Sequence, residues 1–223
     1  GGGYLFFDDN KKQYAGVLHL ELKGGLAITA IGLITTRMPD GKNGFSLIII
    51  ITVELPPIQL GFGFTLLGLG GLLGANRSMN LNSLREGVRS GMLGSILFPQ
   101  DPIKNVSKII SDIQTIFPVA PARFVIGPML ELGWGTPSLV TARVGLLIEP
   151  SQLVMVGQII VQLPPLLDKD LALLYLQVDF AGGVVFDPFQ IWFDGVLRDS
   201  RVLFISLYGQ FAFRLTTGDN PTF

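Results

Sequence analysis

The sequence predicts a mainly β (α+β) fold: a long-stranded antiparallel meander forming a curved sheet, half-barrel or groove, with one or two amphipathic helices inserted near residues 80–117. Three observations carry this reading. Hydrophobicity repeats with period two over long runs, turn chemistry separates those runs, and residues 80–118 alone switch to a helical period. The whole of residues 1–223 reads as a single β-rich domain, with the helical insertion at about 80–118.

In residues 14–23, Tyr14, Gly16, Leu18, Leu20 and Leu22 share one face, and Ala15, Val17, His19, Glu21 and Lys23 the other. Gly24-Gly25 then reads as a hairpin turn, followed by a run over 26–37 that is apolar on both faces. Asp40-Gly41-Lys42-Asn43-Gly44 is a strong turn signal, because Asp, Asn and Gly tolerate φ > 0. The next run, 45–55, contains Ile48, Ile49, Ile50 and Ile51, whose β-branching favours a strand. Residues 55–76 carry no charge and are long enough to span a bilayer as a helix. Pro56, Pro57, Gly61, Gly63, Gly68, Gly70, Gly71 and Gly74 exclude that helix, and the alternation from Ile58 to Leu66 again predicts a strand. No transmembrane helix is expected.

Asn80 is placed as an N-cap for a short helix in which Leu81, Leu84 and Val88 share a face and Gly91 is the stop. A second helix is expected from Asp101 as N-cap and Pro102 as first residue, ending at Pro118. Its apolar residues Ile103, Val106, Ile109, Ile110, Ile113, Ile116 and Phe117 fall within an arc of about 140°, a face suited to lying on a sheet. Strands resume over 123–134, 139–149, 153–163, 171–180, 189–197 and 202–216. Many exceed the usual length of about five or six residues, and glycines and prolines within them, such as Gly127-Pro128 and Gly133, are read as bulges and bends. Val53-Glu54-Leu55-Pro56-Pro57-Ile58 and Val161-Gln162-Leu163-Pro164-Pro165-Leu166 form a weak internal similarity, each read as strand, Pro-Pro turn, strand and then a Gly pair.

Composition narrows function. Charged residues make up 15% of the chain, against about 25% in ordinary domains. A compact monomer of 24.1 kDa exposes on the order of 10,000 Å², so the 16 basic and 17 acidic side chains leave roughly one charge per 300 Å². Apolar surface must therefore face a ligand, a partner or lipid. A net charge of −1 argues against nucleic acid, which requires a basic footprint. The chain opens Gly1-Gly2-Gly3 and closes Asn220-Pro221-Thr222-Phe223, and it reads as a fragment of a larger protein with no visible leader.

Catalytic constellations are absent from the sequence. There is one histidine, His19, and no cysteine, so no zinc site of ordinary composition is expected. No Gly-x-Ser-x-Gly elbow accompanies His19, which reads as an exposed surface histidine. Gly68-Leu69-Gly70-Gly71-Leu72-Leu73-Gly74 misses the dinucleotide spacing by one residue. Asp168, Asp170, Asp179, Asp187, Asp194 and Asp199 match no metal or glycosidase spacing and read as solvated turn and edge acids. No catalytic residue, metal or cofactor is expected.

Glu131 and Arg143 flank the Gly135-Thr136-Pro137 turn and can oppose each other across a hairpin. They read as a cross-strand ion pair or as a polar anchor inside an apolar cavity. Trp134, Phe62, Phe64, Phe211 and Phe213 read as core or, alternatively, as ligand-facing rings.

Three stretches resemble an uncharacterised family, domain of unknown function 6603: Ser95-Ile96-Leu97-Phe98-Pro99-Gln100-Asp101-Pro102 with its helix, the run from Arg123 through Gly133-Trp134-Gly135-Thr136-Pro137, and Asp199-Ser200-Arg201-Val202 leading to Gly209-Gln210-Phe211-Ala212-Phe213-Arg214-Leu215. The resemblance covers roughly residues 60–223. It implies a segment of a much larger, β-rich, bacterial-type protein, and it brings no activity and no catalytic residues.

Two functional readings follow. The first is a non-enzymatic module whose apolar groove binds a hydrophobic small molecule or lipid through Ile49, Ile51, Phe62, Phe64, Leu130, Trp134, Phe211 and Phe213, with Glu131 and Arg143 as polar anchor. The second is a structural or assembly module in which that surface packs against the remainder of the parent protein or against copies of itself. An outer-membrane barrel fits less well, because a barrel lumen is polar.

Overall fold

The computed structural model describes residues 1–217; the closing Asn220-Pro221-Thr222-Phe223 lies outside the described residues. Eleven strands pair in strict chain order as one antiparallel sheet. They are β1 (Gly2–Asp8), β2 (Gln13–Leu22), β3 (Leu26–Arg37), β4 (Asn43–Gly61), β5 (Phe64–Arg77), β6 (Val119–Trp134), β7 (Val140–Glu149), β8 (Gln152–Leu163), β9 (Leu174–Phe186), β10 (Phe189–Val202) and β11 (Ile205–Thr216). Among the described residues the sheet is open, since β1 pairs with β2 alone and β11 with β10 alone. Among the described residues, no helix is long and apolar enough to cross a membrane.

Both helices sit between β5 and β6, as the change of period predicts. The first, α1 (Leu81–Ser90), begins where the Asn80 side chain accepts the Ser83 N–H and ends on Gly91 at φ 84°, a left-handed cap that glycine adopts without Cβ strain. The second, α2 (Val106–Ile116), has Asn105 at its N-cap position, with no side-chain capping hydrogen bond. Asp101 and Pro102 do not start it: Asp101 stands at φ 47°, outside helical space, and the next residues form turns before the helix begins.

The helices cover one face of the sheet. Leu84, Val88, Leu93, Ile109, Ile113, Ile116 and Phe117 pack onto Ile31, Leu33, Ile48, Ile50, Leu72, Val125, Leu147, Val154 and Val156 in one core cluster. Two buried polar groups tie the insertion down. The Arg77 guanidinium donates to the Phe117 carbonyl and to Thr35 Oγ1, each at 2.9 Å, and burial pulls its pKa down to about 10. Glu149 accepts the Met79 N–H and Gln152 Nε2, linking the β5–α1 junction to the β7–β8 hairpin.

Four local readings need correction. Pro56-Pro57 lies inside β4, where the register with β5 shifts between Glu54 and Ile58; the hairpin forms instead at Phe62-Gly63. Leu163-Pro164-Pro165 ends β8 and enters a loop, so the two similar segments do different structural work. Gly70-Gly71 and Gly182-Gly183 are mid-strand, and β9 extends six residues past the expected Phe180 to Phe186. Finally, β1 is an element that the sequence pattern does not announce, because Tyr4-Leu5-Phe6-Phe7 shows no alternation of polar and apolar residues.

Candidate ligand-binding face

Strand side chains alternate between faces, so the strand register sorts the paired residues. One row of directly paired residues crosses ten strands as Leu20, Ile28, Val53, Leu69, Leu130, Val144, Gly157, Phe180, Gly195 and Phe211. A second, four positions along, reads Gly16, Gly32, Ile49, Leu73, Ile126, Ile148, Leu153, Val184, Ile191 and Leu215. Between them, Ile51 is flanked by Ala30 and Gly71, and Phe193 by Gly182 and Phe213. Every side chain in both complete rows is hydrocarbon or a glycine hydrogen. At about 4.8 Å per strand the eleven strands span roughly 50 Å.

Among the described residues, this face carries no helix. Ile51 is 46%, Leu73 50%, Met155 47% and Phe211 61% exposed, while Ile48 and Ile50, pointing the other way from the same strand, are each at 1%. The sequence-predicted residues Ile49, Ile51, Phe64, Leu130, Trp134, Phe211 and Phe213 all lie on the open face. Phe62 sits in the β4–β5 turn, fully exposed, where its carbonyl accepts Trp134 Nε1–H at 3.3 Å.

The face holds a depression of about 400 Å³, lined by Leu5, Phe7, Tyr14, Gly16, Gly32, Ile34, Leu47 and Ile49 among others. Its floor is the directly paired Gly16 and Gly32. A Cβ built on Gly32 would meet nothing within 4 Å. One wall is the stacked pair Phe7 and Tyr14, with ring centroids 4.6 Å apart.

Charge is segregated to the helix-bearing face. Glu131 and Arg143 are directly opposed on β6 and β7, and Arg143 Nε donates to Glu131 Oε1 at 2.8 Å. They therefore form the cross-strand pair and stand on the opposite side of the sheet from the apolar rings. Asp179 is fully buried; its Oδ1 accepts Gln158 Nε2 at 3.1 Å and Gln177 Nε2 at 2.9 Å, and Arg198 Nε stands 3.2 Å from Oδ2. Asp194 accepts two bonds from Arg214 Nη2, at 3.0 and 2.9 Å. Arg85 of α1 approaches the same carboxylate at 3.7 Å and lies 4.6 Å over the Trp192 ring, so the helix is fastened to β10 by charge and by cation–π contact. Burial, then repulsion from Arg214, lowers the Arg85 pKa, and Asp194 opposes the shift.

The reading of all six C-terminal aspartates as solvated acids thus fails for Asp179 and Asp194. Each lies in strand alternation on the helix-bearing side, which a sequence pattern could signal, but their partners Arg198, Arg214 and Arg85 come from other strands and from the insertion. A polar cleft of about 430 Å³ opens beside them, lined by Arg143, Gln158, Tyr175, Gln177 and Arg198. Within it Tyr175 Oη donates to Gln177 Oε1 at 3.0 Å, and the Gln158 and Gln177 side chains turn their amide N–H groups onto Asp179. Among the described residues, no group of three or more metal-ligating side chains is gathered. His19, expected as an exposed surface histidine, is only partly exposed: its ring lies 2.9 Å from the Thr29 hydroxyl and 3.4 Å from a Glu21 carboxylate oxygen.

Asp179 offers a test of this buried layer. Burial raises its pKa above the ordinary 3.8, against the opposing effects of Gln177, Arg198 and Gln158. The folded state then holds the proton more tightly than the unfolded chain, so the group's contribution becomes unfavourable as pH rises above the unfolded value and through the folded one. Asp179→Asn should therefore gain stability relative to the parent as pH rises from about 4, levelling off above the folded pKa. Urea unfolding across a pH series reads this directly; a flat or falling difference contradicts it.

Comparison with known families gives one result. A family described as a family of unknown function, DUF6603, matches residues 1–223. The chain belongs to DUF6603. The match extends the resemblance carried by the Phe-Pro-x-Asp-Pro and Gly-Trp-Gly-Thr-Pro stretches over the N-terminal strands as well. No curated protein and no solved structure matches it. In this DUF6603 chain the Phe-Pro-Gln-Asp-Pro stretch is the turn that seats fully buried Phe98 beneath the helices, and Gly-Trp-Gly-Thr-Pro closes the β6–β7 hairpin.

Proposed function

We propose that the open face is a non-enzymatic binding surface for a hydrophobic ligand, the acyl chains of a lipid, with the Gly16–Gly32 depression as its deepest seat. The observation that carries this reading is the pair of uninterrupted ten-residue apolar rows on a face left without helical cover. A patch of this extent exceeds the few hundred Å² that soluble monomers ordinarily expose, and apolar ligand sites are commonly cavities of about 300–1,000 Å³ with few polar groups. Paired glycines let a chain of methylenes lie against the backbone, and the half-exposed Ile, Leu and Phe side chains around them supply flanking contact.

The test is native mass spectrometry of the purified chain, with organic extraction and lipid analysis of what co-purifies. Adducts of lipid mass are expected. Gly32→Leu should remove them with the fold intact, since its side chain enters open space and fills the seat. A lipid-free protein that self-associates, and becomes monomeric with Ile51→Asp, would replace this reading with assembly through the same face.

A further inference from the structure

We propose that the β11 edge of this domain pairs with β11 of a second copy, antiparallel, about a two-fold axis through Gln210. Among the described residues β11 is paired on one side only. Its sequence, ISLYGQFAFRLT, holds one charge and no proline over 12 residues. Natural edge strands are usually guarded by charge, proline, bulges or brevity, and β11 has little of that protection.

The chemistry of the edge selects the partner. On the open face, β9 carries Phe180 and Gly182, and β10 carries Phe193 and Gly195. They pair reciprocally, Phe193 opposite Gly182 and Phe180 opposite Gly195. The two rings stack with centroids 6.0 Å apart and planes at 19°, and a Cβ on Gly182 would lie 2.7 Å from the Phe193 ring. Gly182 is the space into which the directly paired Phe193 ring leans, and the Phe180 ring leans in the same way over its own paired glycine, Gly157 of β8. On the same face β11 carries Gly209 and Phe211. Phe211 already stands opposite Gly195 and continues the aromatic series, 6.0 Å from Phe193.

Gly209 lacks a ring of its own: a Cβ there would meet nothing nearer than Leu197 Cβ at 3.9 Å. Two copies of β11 placed antiparallel about Gln210 set Phe211 of each opposite Gly209 of the other, reproducing the β9–β10 arrangement. Directly opposed residues of an antiparallel pair point to the same side. The axis is therefore normal to the sheet, the apolar faces join into one surface, and the helices of both copies stay on the other side. The contact is isologous and closes at two copies.

The experiment uses the 223-residue chain after delipidation, so that it is independent of ligand loading. Sedimentation velocity over a concentration series should show a monomer–dimer equilibrium. Gly209→Val should shift the dimer constant by at least tenfold toward monomer, because its side chain takes the place of the incoming ring while meeting open space in the monomer. Gly32→Leu should leave the equilibrium unchanged.

Register is read by single-cysteine variants in a chain that has no cysteine. Gln210→Cys places two thiols directly opposite and should cross-link under mild oxidation. Tyr208→Cys places them about four residues, roughly 13 Å, apart, beyond disulfide reach, and should not. A protein that stays monomeric throughout overturns the proposal. So does a dimer unaffected by Gly209→Val, or equal cross-linking at 208 and 210.

Discussion

Arg143→Met is expected to lower the unfolding free energy by about 3 kcal/mol, and the double variant Glu131→Leu with Arg143→Met to recover most of that loss. The two side chains are 9% and 15% exposed and meet at 2.8 Å across the β6–β7 pair. Removing the guanidinium leaves the Glu131 carboxylate under the helices without its main compensating charge, and breaking one partner of a buried pair costs about 3–5 kcal/mol. The lower end applies because Arg143 borders the polar cleft and water reaches part of it. Native domains hold about 5–15 kcal/mol in all, so the variant should unfold at markedly lower urea. An unchanged midpoint would show that the pair is dispensable to folding. Loss of bound ligand without loss of stability would give it the anchoring role that its position on the helix-bearing face argues against.

That pair also shows what a sequence can and cannot disclose. Period two, hairpin glycines and the Asn80 and Gly91 caps identify most strands and α1, because those signals are local. The partnership of Glu131 with Arg143 was legible for the same reason: a short hairpin fixes their register. Asp179 and Asp194 were not, since Arg198 and Arg214 reach them from neighbouring strands and Arg85 from a helix inserted more than a hundred residues earlier. The α2 start was misplaced because Asp101-Pro102 looks like a cap locally, whereas Phe98 and Asp101 are held at φ 46° and 47° by a turn that seats the Phe98 ring in the core. The apolar content of strands 26–37 and 45–55 announced that both faces are greasy. Which face the helices take is decided by small differences, Ser46 and Thr52 beside Ile48 and Ile50 on one side, Phe45 and Leu47 beside Ile49 and Ile51 on the other, and those carry no sign of their own.

Neighbouring isoleucines on β4 should therefore respond oppositely to the same substitution. Ile50 is 1% exposed and packs in the core beneath the helices, with Ile31 and Leu72 directly beside it. Ile50→Asp puts an unpaired carboxylate there with no cation in the ladder to meet it, a cost of at least about 4 kcal/mol, and the chain should fail to fold or should fold only at acid pH with the aspartate protonated. Ile51 is 46% exposed between Ala30 and Gly71 on the open face. Ile51→Asp there stays hydrated and loses mainly strand propensity, about 1 kcal/mol, so the sheet should form. What it should lose is the proposed ligand: a charge in the middle of the apolar rows must be desolvated whenever hydrocarbon covers it, and the lipid adducts expected of the parent protein should fall below detection. Circular dichroism with thermal melts separates folding from loading. A folded Ile50→Asp would mean that the helices do not seal that side, and an Ile51→Asp protein still replete with lipid would mean that hydrocarbon binds somewhere other than the open face.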